Sequence, residues 1–409
     1  MEKRMSIYNP VYAEPPQVAL CDVTLRDGEQ TAGVAFSLDE KREIARRLDE
    51  IGVEQIQLAS PLYGKKNKAE ASALVAMGLK ADIEVMSHSA VKNWQESIRA
   101  AVESGADVVH SLIPVSRLMR GMFKPSLNDE QILERAYESV VYAKKIGAPA
   151  VNISLLDATR TDPKYIVQIT EVLMDAGVDR IRFADTVGTA SSEGIRVLTE
   201  NFVKTIKEHA AAQKPKLCVH LHNDFGLATA NSFAAVQSGV EMIDVTVNGL
   251  GERSGNPDLA QVATGLGALY DIKTSIILEK LQELSEFVAK LSGIPIPSNH
   301  PLTGSMVFAD ESNSHVMATA KDPFAFQGIK ASAIGNRHRT IMGNKSGVES
   351  VSFKLKEMGY GVVDAAFAEE ALKALLVECD KRKGNVISDE EFLGIVNRIK
   401  LSREAKNNE

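Results

Sequence analysis

The stretch VHLHND places two imidazoles, His220 and His222, on either side of Leu221. On a strand, alternate side chains share a face, so both rings point the same way, one pleat apart. Two imidazoles, a carboxylate and water make a ligand set for a divalent ion, and Mg²⁺, Mn²⁺, Zn²⁺ and Fe²⁺ all suit it on ligand type. The carboxylate is on offer in ALCDVTLRDGEQTAGVAF, where an apolar run ending at Cys21 gives way to Asp22, Arg26, Asp27, Glu29 and Gln30. Asp27 is placed to complete the metal site, and Arg26 beside it can steady a developing oxyanion. The blander reading is one core and one surface histidine, with a salt-bridged turn at Arg26 and Asp27. GLGERSGN (249–256) adds a glycine-punctuated loop through which backbone can approach a ligand closely.

The elements that must position these groups are short β-branched runs, each followed by a stretch of helical period. The runs are VALCDVT (18–24), EQIQLAS (54–60), IEVMS (83–87), VVHSLI (108–113), AVNISL (150–155), RIRFAD (180–185), LCVHLH (217–222) and MIDVTV (242–247). LDEKREIARRLDEIG after Ser37 is a clear helix that closes on Gly52. The runs read as parallel strands covered on both faces, and eight such units predict a (β/α)₈ TIM barrel. A doubly wound open sheet is the rival, and its usual six strands leave two units over. The expected division is an N-terminal segment at 1–16, the barrel at 17–290, a linker with an α-rich C-terminal subdomain at 291–404, and a frayed tail at 405–409.

In a barrel the chemistry gathers where strands end. Those ends supply Arg26, Asp27 and Gln30 (first), Gln57 (second), His88 (third), Arg117 and Arg120 (fourth), Asp157 and Arg160 (fifth), Thr186 (sixth), His220 and His222 (seventh), and Glu252, Arg253 and Asn256 (eighth).

Bulk composition narrows the classes. The 409 residues are 44% hydrophobic and 25% charged, with a net charge of −7, which suits a soluble chain with one large core and disfavours a nucleic-acid partner. Cys21, Cys218 and Cys379 are far apart, as in a reducing, cytoplasmic setting. The start MEKRMSIYNPVYAEPPQ lacks an apolar core, and no long apolar run occurs, so secretion and membrane insertion are not expected.

TLRDGEQTAG, FADTVGTA, HLHNDFGLATAN, DVTVNGLGERSGN and the late ESNSHV, in that order, resemble the metal-dependent condensing enzymes that include homocitrate, 2-isopropylmalate and citramalate synthases. LRDGEQTAGVAFSLDEK looks most like the homocitrate synthases of nitrogen-fixation type. The resemblance implies a TIM barrel whose helical extension reaches over a partner's barrel in a homodimer. It implies Claisen condensation of an acyl-CoA, usually acetyl-CoA, with a 2-oxo acid on a divalent metal (Mg, Mn or Zn). It carries the ligand role to Asp27, His220 and His222, with Asn256 close by. It places Arg26 at the carbonyl oxygen, Thr186 at the substrate carboxylate, and His315 as a catalytic histidine contributed to the neighbouring subunit's site. An imidazole suits the removal of an acyl methyl proton near neutral pH.

Four changes, at five positions, depart from the family pattern. SLLDATRTD sets Leu156 where a glutamate helps proton transfer, Gln57 stands for a glutamate, Phe326 in KDPFAF for a tyrosine, and GNKSG brings Asn344 and Lys345. They point to an altered substrate or proton relay. IPVSRLMRGMFKPS puts Arg117, Arg120 and Lys124 after the fourth strand; the bland reading is a solvated helix start, and the functional one predicts an acceptor with a second anionic group, with Gln30 and Arg160 as further substrate-binding candidates. That favours 2-oxoglutarate, then oxaloacetate or phosphonopyruvate, with citrate or phosphonomethylmalate synthase-like activity as the alternative to homocitrate. Isopropylmalate or citramalate synthesis, a metal-dependent carbon–carbon lyase, and a barrel that binds metal without turnover are the remaining readings.

Overall fold

The computed structural model describes residues 6–10, 12–123, 126–382 and 386–407. Eight parallel strands close into a barrel in sequence order: β1 (Ala19–Asp22), β2 (Gln55–Leu58), β3 (Asp82–His88), β4 (Val108–Pro114), β5 (Val151–Leu156), β6 (Arg180–Asp185), β7 (Lys216–Leu221) and β8 (Met242–Val245). Closure is made by β1 on β8, with Ala19 opposite Met242 and Asp22 opposite Val245. The open-sheet alternative is thereby excluded.

Helices lie between the strands, and Leu38–Ile51 shows why. Ser37 and Glu40 form a capping box, Ile44, Leu48 and Ile51 are buried, and Gly52 ends the helix in the left-handed region at φ 97°. An added Cβ at Gly52 would also overlap the Ser275 carbonyl, so both the turn and the close approach need glycine. Each of those buried aliphatic side chains contributes roughly 1.5–3 kcal/mol.

The inner face of the barrel departs from expectation. TIM-barrel interiors are mostly filled by branched apolar side chains. Here Gln55, Gln57, Glu84, His110, Asn152, Ser154, Arg182 and Asp244 are all buried, and they bond across the barrel, Arg182 of β6 reaching Glu84 of β3 at 2.8 Å. The strands are therefore not apolar on both faces: a buried polar layer crosses the barrel interior, with Met86, Leu112 and Leu156 among the apolar side chains above it.

The chain divides into two compact units, one spanning Ser6–Ile296 and the other running from Pro297. The contact boundary thus follows the helix Leu281–Ser292 and its Gly293 cap by a few residues. The second unit holds the helices Asn313–Lys321, Val348–Glu357, Ala365–Asp380 and Asp389–Asn407, and a core that includes Val351, Leu355, Leu375, Phe392 and Val396. The last helix carries 405–407, which were expected to fray; 408 and 409 lie outside the described residues. Among the described residues no helix is long and apolar enough to cross a membrane.

Candidate active site

β7 ends at Leu221, and its alternation brings His220 and His222 to one side, their Nε2 atoms 3.2 Å apart. Asp27 follows β1 at the start of the short turn Gly28–Gln30, and its Oδ2 lies 3.3 Å from His220 Nε2 and 3.7 Å from His222 Nε2. All three ligand atoms fall within 4.8 Å of one another, and all three residues are buried. Asp27 Oδ1 is buried without a hydrogen-bond partner. His220 Nδ1 faces Asp244 Oδ2 at 2.8 Å, which leaves the Nε2 lone pair aimed at the other two ligands. Three donor atoms converge, and this donor set fits a divalent cation.

The local electrostatics set the three groups apart. Burial works to raise the Asp27 carboxyl, but Arg26, His220 and His222 together hold it well below the usual range. His222 is pushed down to about 3 by burial and by His220, so it offers a neutral ring. Burial also opposes charge on His220, and its bonds to Asp244 and Asp27 more than offset that, raising it.

A cavity of about 250 Å³ opens on this cluster. Arg26, Asp27, Gln30, Thr186, His220 and His222 line it, and His88, Glu252 and Arg253 contribute to its wall. Arg26 is held by Gln57 through Nε and lies 3.4 Å from Gln30 Oε1. Thr186 Oγ1 accepts from the Asp157 N–H. Asn256 sits differently from a ligand: its Nδ2 donates to Asp27 Oδ2 at 2.8 Å, so nitrogen faces the cluster and the amide holds Asp27 in place. The GLGERSGN loop is shaped around that contact, since a Cβ on Gly251, at φ 154°, would overlap Asn256 Nδ2.

The cations of the fourth and fifth strand ends lie elsewhere. Arg117, Arg120 and Arg160 line a separate cavity of about 460 Å³ with Asp129, Asp157 and Tyr165. Buried Arg120 pairs with Asp129 and lies over the Tyr165 ring, so a carboxylate at the start of the next helix has taken the cation the sequence offers to substrate. Arg117 is 89% exposed, 3.9 Å from the same Asp129. Arg160 gives its Nε to Asp157, and among the described residues its terminal nitrogens take no partner. Lys124 lies outside the described residues. His315 belongs to the second unit, on the helix Asn313–Lys321, half-exposed and stacked on Phe326 at 3.9 Å between ring centroids.

Sequence reading passed over Asp244, Glu84, Arg182, His110 and Ser154. The signal was present in part: polar residues stand two apart at Gln55 and Gln57, Asp82 and Glu84, Asn152 and Ser154, and Arg180 and Arg182, while His110 and Asp244 stand without such a partner on their strands.

Fold and site define a (β/α)₈ barrel whose strand ends carry a two-histidine, one-aspartate cluster beside an arginine. The family model described as HMGL-like matches residues 17–288. A probable 2-isopropylmalate synthase of Methanopyrus kandleri is 39% identical over 87% of this chain and 68% of its own length. The homocitrate synthase of Methanocaldococcus jannaschii is 36% identical over 98% of this chain and 95% of its own. Among solved structures, the hydroxymethylglutaryl-CoA lyase of Pseudomonas aeruginosa superimposes with a TM-score of 0.59 at 21% identity, over 70% of this chain and 96% of that one, a likeness of fold. The chain belongs to the HMGL-like family. It is an enzyme, of the synthase class for which those relatives are named.

Proposed function

We propose that the chain is an acyltransferase that condenses acetyl-CoA with a 2-oxo acid, releasing CoA and a 2-hydroxy acid. The observation that carries this is the Asp27–His220–His222 cluster facing a small cavity with Arg26 on its wall. A divalent ion held by those three residues supplies Lewis acidity to a 2-oxo acid's carbonyl. Arg26 presents guanidinium N–H groups to the oxygen that becomes an alkoxide, and Thr186 offers a hydroxyl to the carboxylate. His315 takes a proton from the acetyl methyl group; the carbanion forms the new C–C bond at C2 as the carbonyl π bond opens to the alkoxide, which takes up a proton as the 2-hydroxyl, and water then cleaves the thioester to a carboxylate and the free thiol.

The proposal includes a homodimer in which His315 of the partner subunit serves the barrel. Mixing an Asp27→Ala chain with a His315→Ala chain is expected to restore activity, up to about a quarter of wild type if subunits exchange at random. Proven exchange without rescue would mean that each site is built within one chain.

For the acceptor we propose a second anionic group that reaches from the metal cavity to the neighbouring cavity of Arg160, whose terminal guanidinium nitrogens are open to a carboxylate or phosphonate. A second reading has its own observation: Met86, Leu112 and Leu156 give the metal cavity an apolar stretch, which suits an uncharged acceptor side chain. kcat/KM across 2-oxoglutarate, oxaloacetate, phosphonopyruvate, pyruvate and 2-oxoisovalerate separates them. Under the first reading the dianions lead by at least about tenfold, as a lost charged contact costs that much or more, and Arg160→Met removes the lead. A lead for pyruvate or 2-oxoisovalerate transfers the choice to the apolar wall.

A further inference from the structure

Gln57 sets an amide where the family resemblance leads one to expect a glutamate, and its surroundings show what the amide does. Its Oε1 accepts from Arg26 Nε, its Nε2 donates to Glu84 Oε2, and the same Nε2 lies 3.0 Å from His110 Nδ1. The neighbours fix which way the amide faces. A guanidinium only donates, so Arg26 must meet the oxygen. Glu84, held ionised by Arg182 at 2.8 Å, only accepts, so it must meet the nitrogen.

With one N–H given to Glu84, the second points at His110 Nδ1, which must then be a bare acceptor. In the neutral ring the proton therefore sits on Nε2, 2.7 Å from Ser154 Oγ. Ser154 Oγ accepts a hydrogen bond from that N–H, and its own hydroxyl hydrogen turns elsewhere. Among the described residues no acceptor takes it, and both Ser154 and His110 line the metal cavity. Burial foremost, with Arg182 and Arg26 nearby, keeps His110 neutral against the pull of Glu84.

We propose that Gln57 is a positioning residue: it holds His110 in the Nε2–H tautomer, and Ser154 thereby presents a hydrogen-bond donor to an oxygen of the bound 2-oxo acid. The inference rests on the function proposed above. A glutamate at 57 keeps the bond to Arg26 but sets a second oxygen against Glu84 Oε2 and His110 Nδ1. The least costly answer is a proton on Nδ1. His110 Nε2 then accepts from Ser154, and the hydroxyl is withdrawn from the cavity.

The test uses the full chain labelled with ¹⁵N-histidine, His110 being assigned by its loss in His110→Gln. In wild type the ring proton is expected on Nε2, and in Gln57→Glu on Nδ1. Ser154→Ala is expected to raise the oxo-acid KM about tenfold, one hydrogen bond to a charged group, with Mn²⁺ affinity unchanged. Gln57→Glu is expected to raise it similarly, and the double variant no further than either, because both act through one hydroxyl. A wild-type proton on Nδ1, a wild-type KM in Ser154→Ala, or multiplying effects in the double variant overturns the inference. A wild type inactive with every oxo acid overturns the functional reading, and this inference with it.

Discussion

His220→Ala is expected to abolish turnover while leaving the barrel folded. The imidazole is one of three groups whose ligand atoms meet within 4.8 Å, and it is the one oriented by a carboxylate, Asp244 at 2.8 Å from its Nδ1. Removing it takes away one of the three converging donors, and among the described residues leaves Asp244 only the Arg182 contact at 3.1 Å. A two-ligand remnant holds a divalent ion far more weakly. Losing even the second-shell partner of a metal histidine commonly costs 10–100-fold in affinity or activity, and the ligand itself counts for more. Mn²⁺ binding by calorimetry and turnover after dialysis against a chelator measure the two effects separately. Near-normal binding in the variant would remove His220 from the site. A variant that binds normally yet turns over slowly would assign it a role in the chemistry instead.

The triad was legible because each part obeys a local rule. Alternation on a strand puts His220 and His222 on one face whatever the rest of the chain does, and Asp27 follows a strand end. The eightfold repeat was legible for a similar reason, since strand and helix periods are properties of short windows. What escaped was non-local. The fates of Arg117 and Arg120 depend on Asp129, and nothing in IPVSRLMRGMFKPS says that this carboxylate will turn back on them. Glu84 and Arg182 lie on β3 and β6, and only closure of the barrel brings them together. The polar interior was itself written in the alternation of EQIQLAS, IEVMS and RIRFAD, but a short run mixing branched and charged residues also suits a strand with a solvated face. Whether the charged face looks inward or outward is decided by closure, not by the run.

Arg182 carries the second large expectation, this time for stability. Its side chain is wholly buried, 2.8 Å from Glu84 and 3.1 Å from Asp244, both of them buried as well. Burial alone would raise the Glu84 carboxyl; Arg182 foremost, with the amides of Asn152 and Gln57, outweighs it and holds the group well below the usual range. Arg182→Met fills much of the same space but leaves two carboxylates close together in the barrel without their cation. Breaking a buried pair in this way typically costs about 3–5 kcal/mol, whereas the intact pair need add little over an apolar replacement of both partners. The variant is therefore expected to unfold at markedly lower urea concentration, and Arg182→Met with Glu84→Gln to recover part of the loss. The pH dependence gives a sharper check. With its folded pKa depressed, Glu84 contributes stability that is present above its unfolded value, about 4.3, and is lost as pH falls through the folded value. Without Arg182 the same carboxyl shifts upward and favours its proton, so the variant's deficit should be greatest near neutral pH and narrow towards pH 4. A deficit that is constant with pH would mean that Arg182 matters for its volume and packing, and that its charge is balanced by some route other than Glu84 and Asp244.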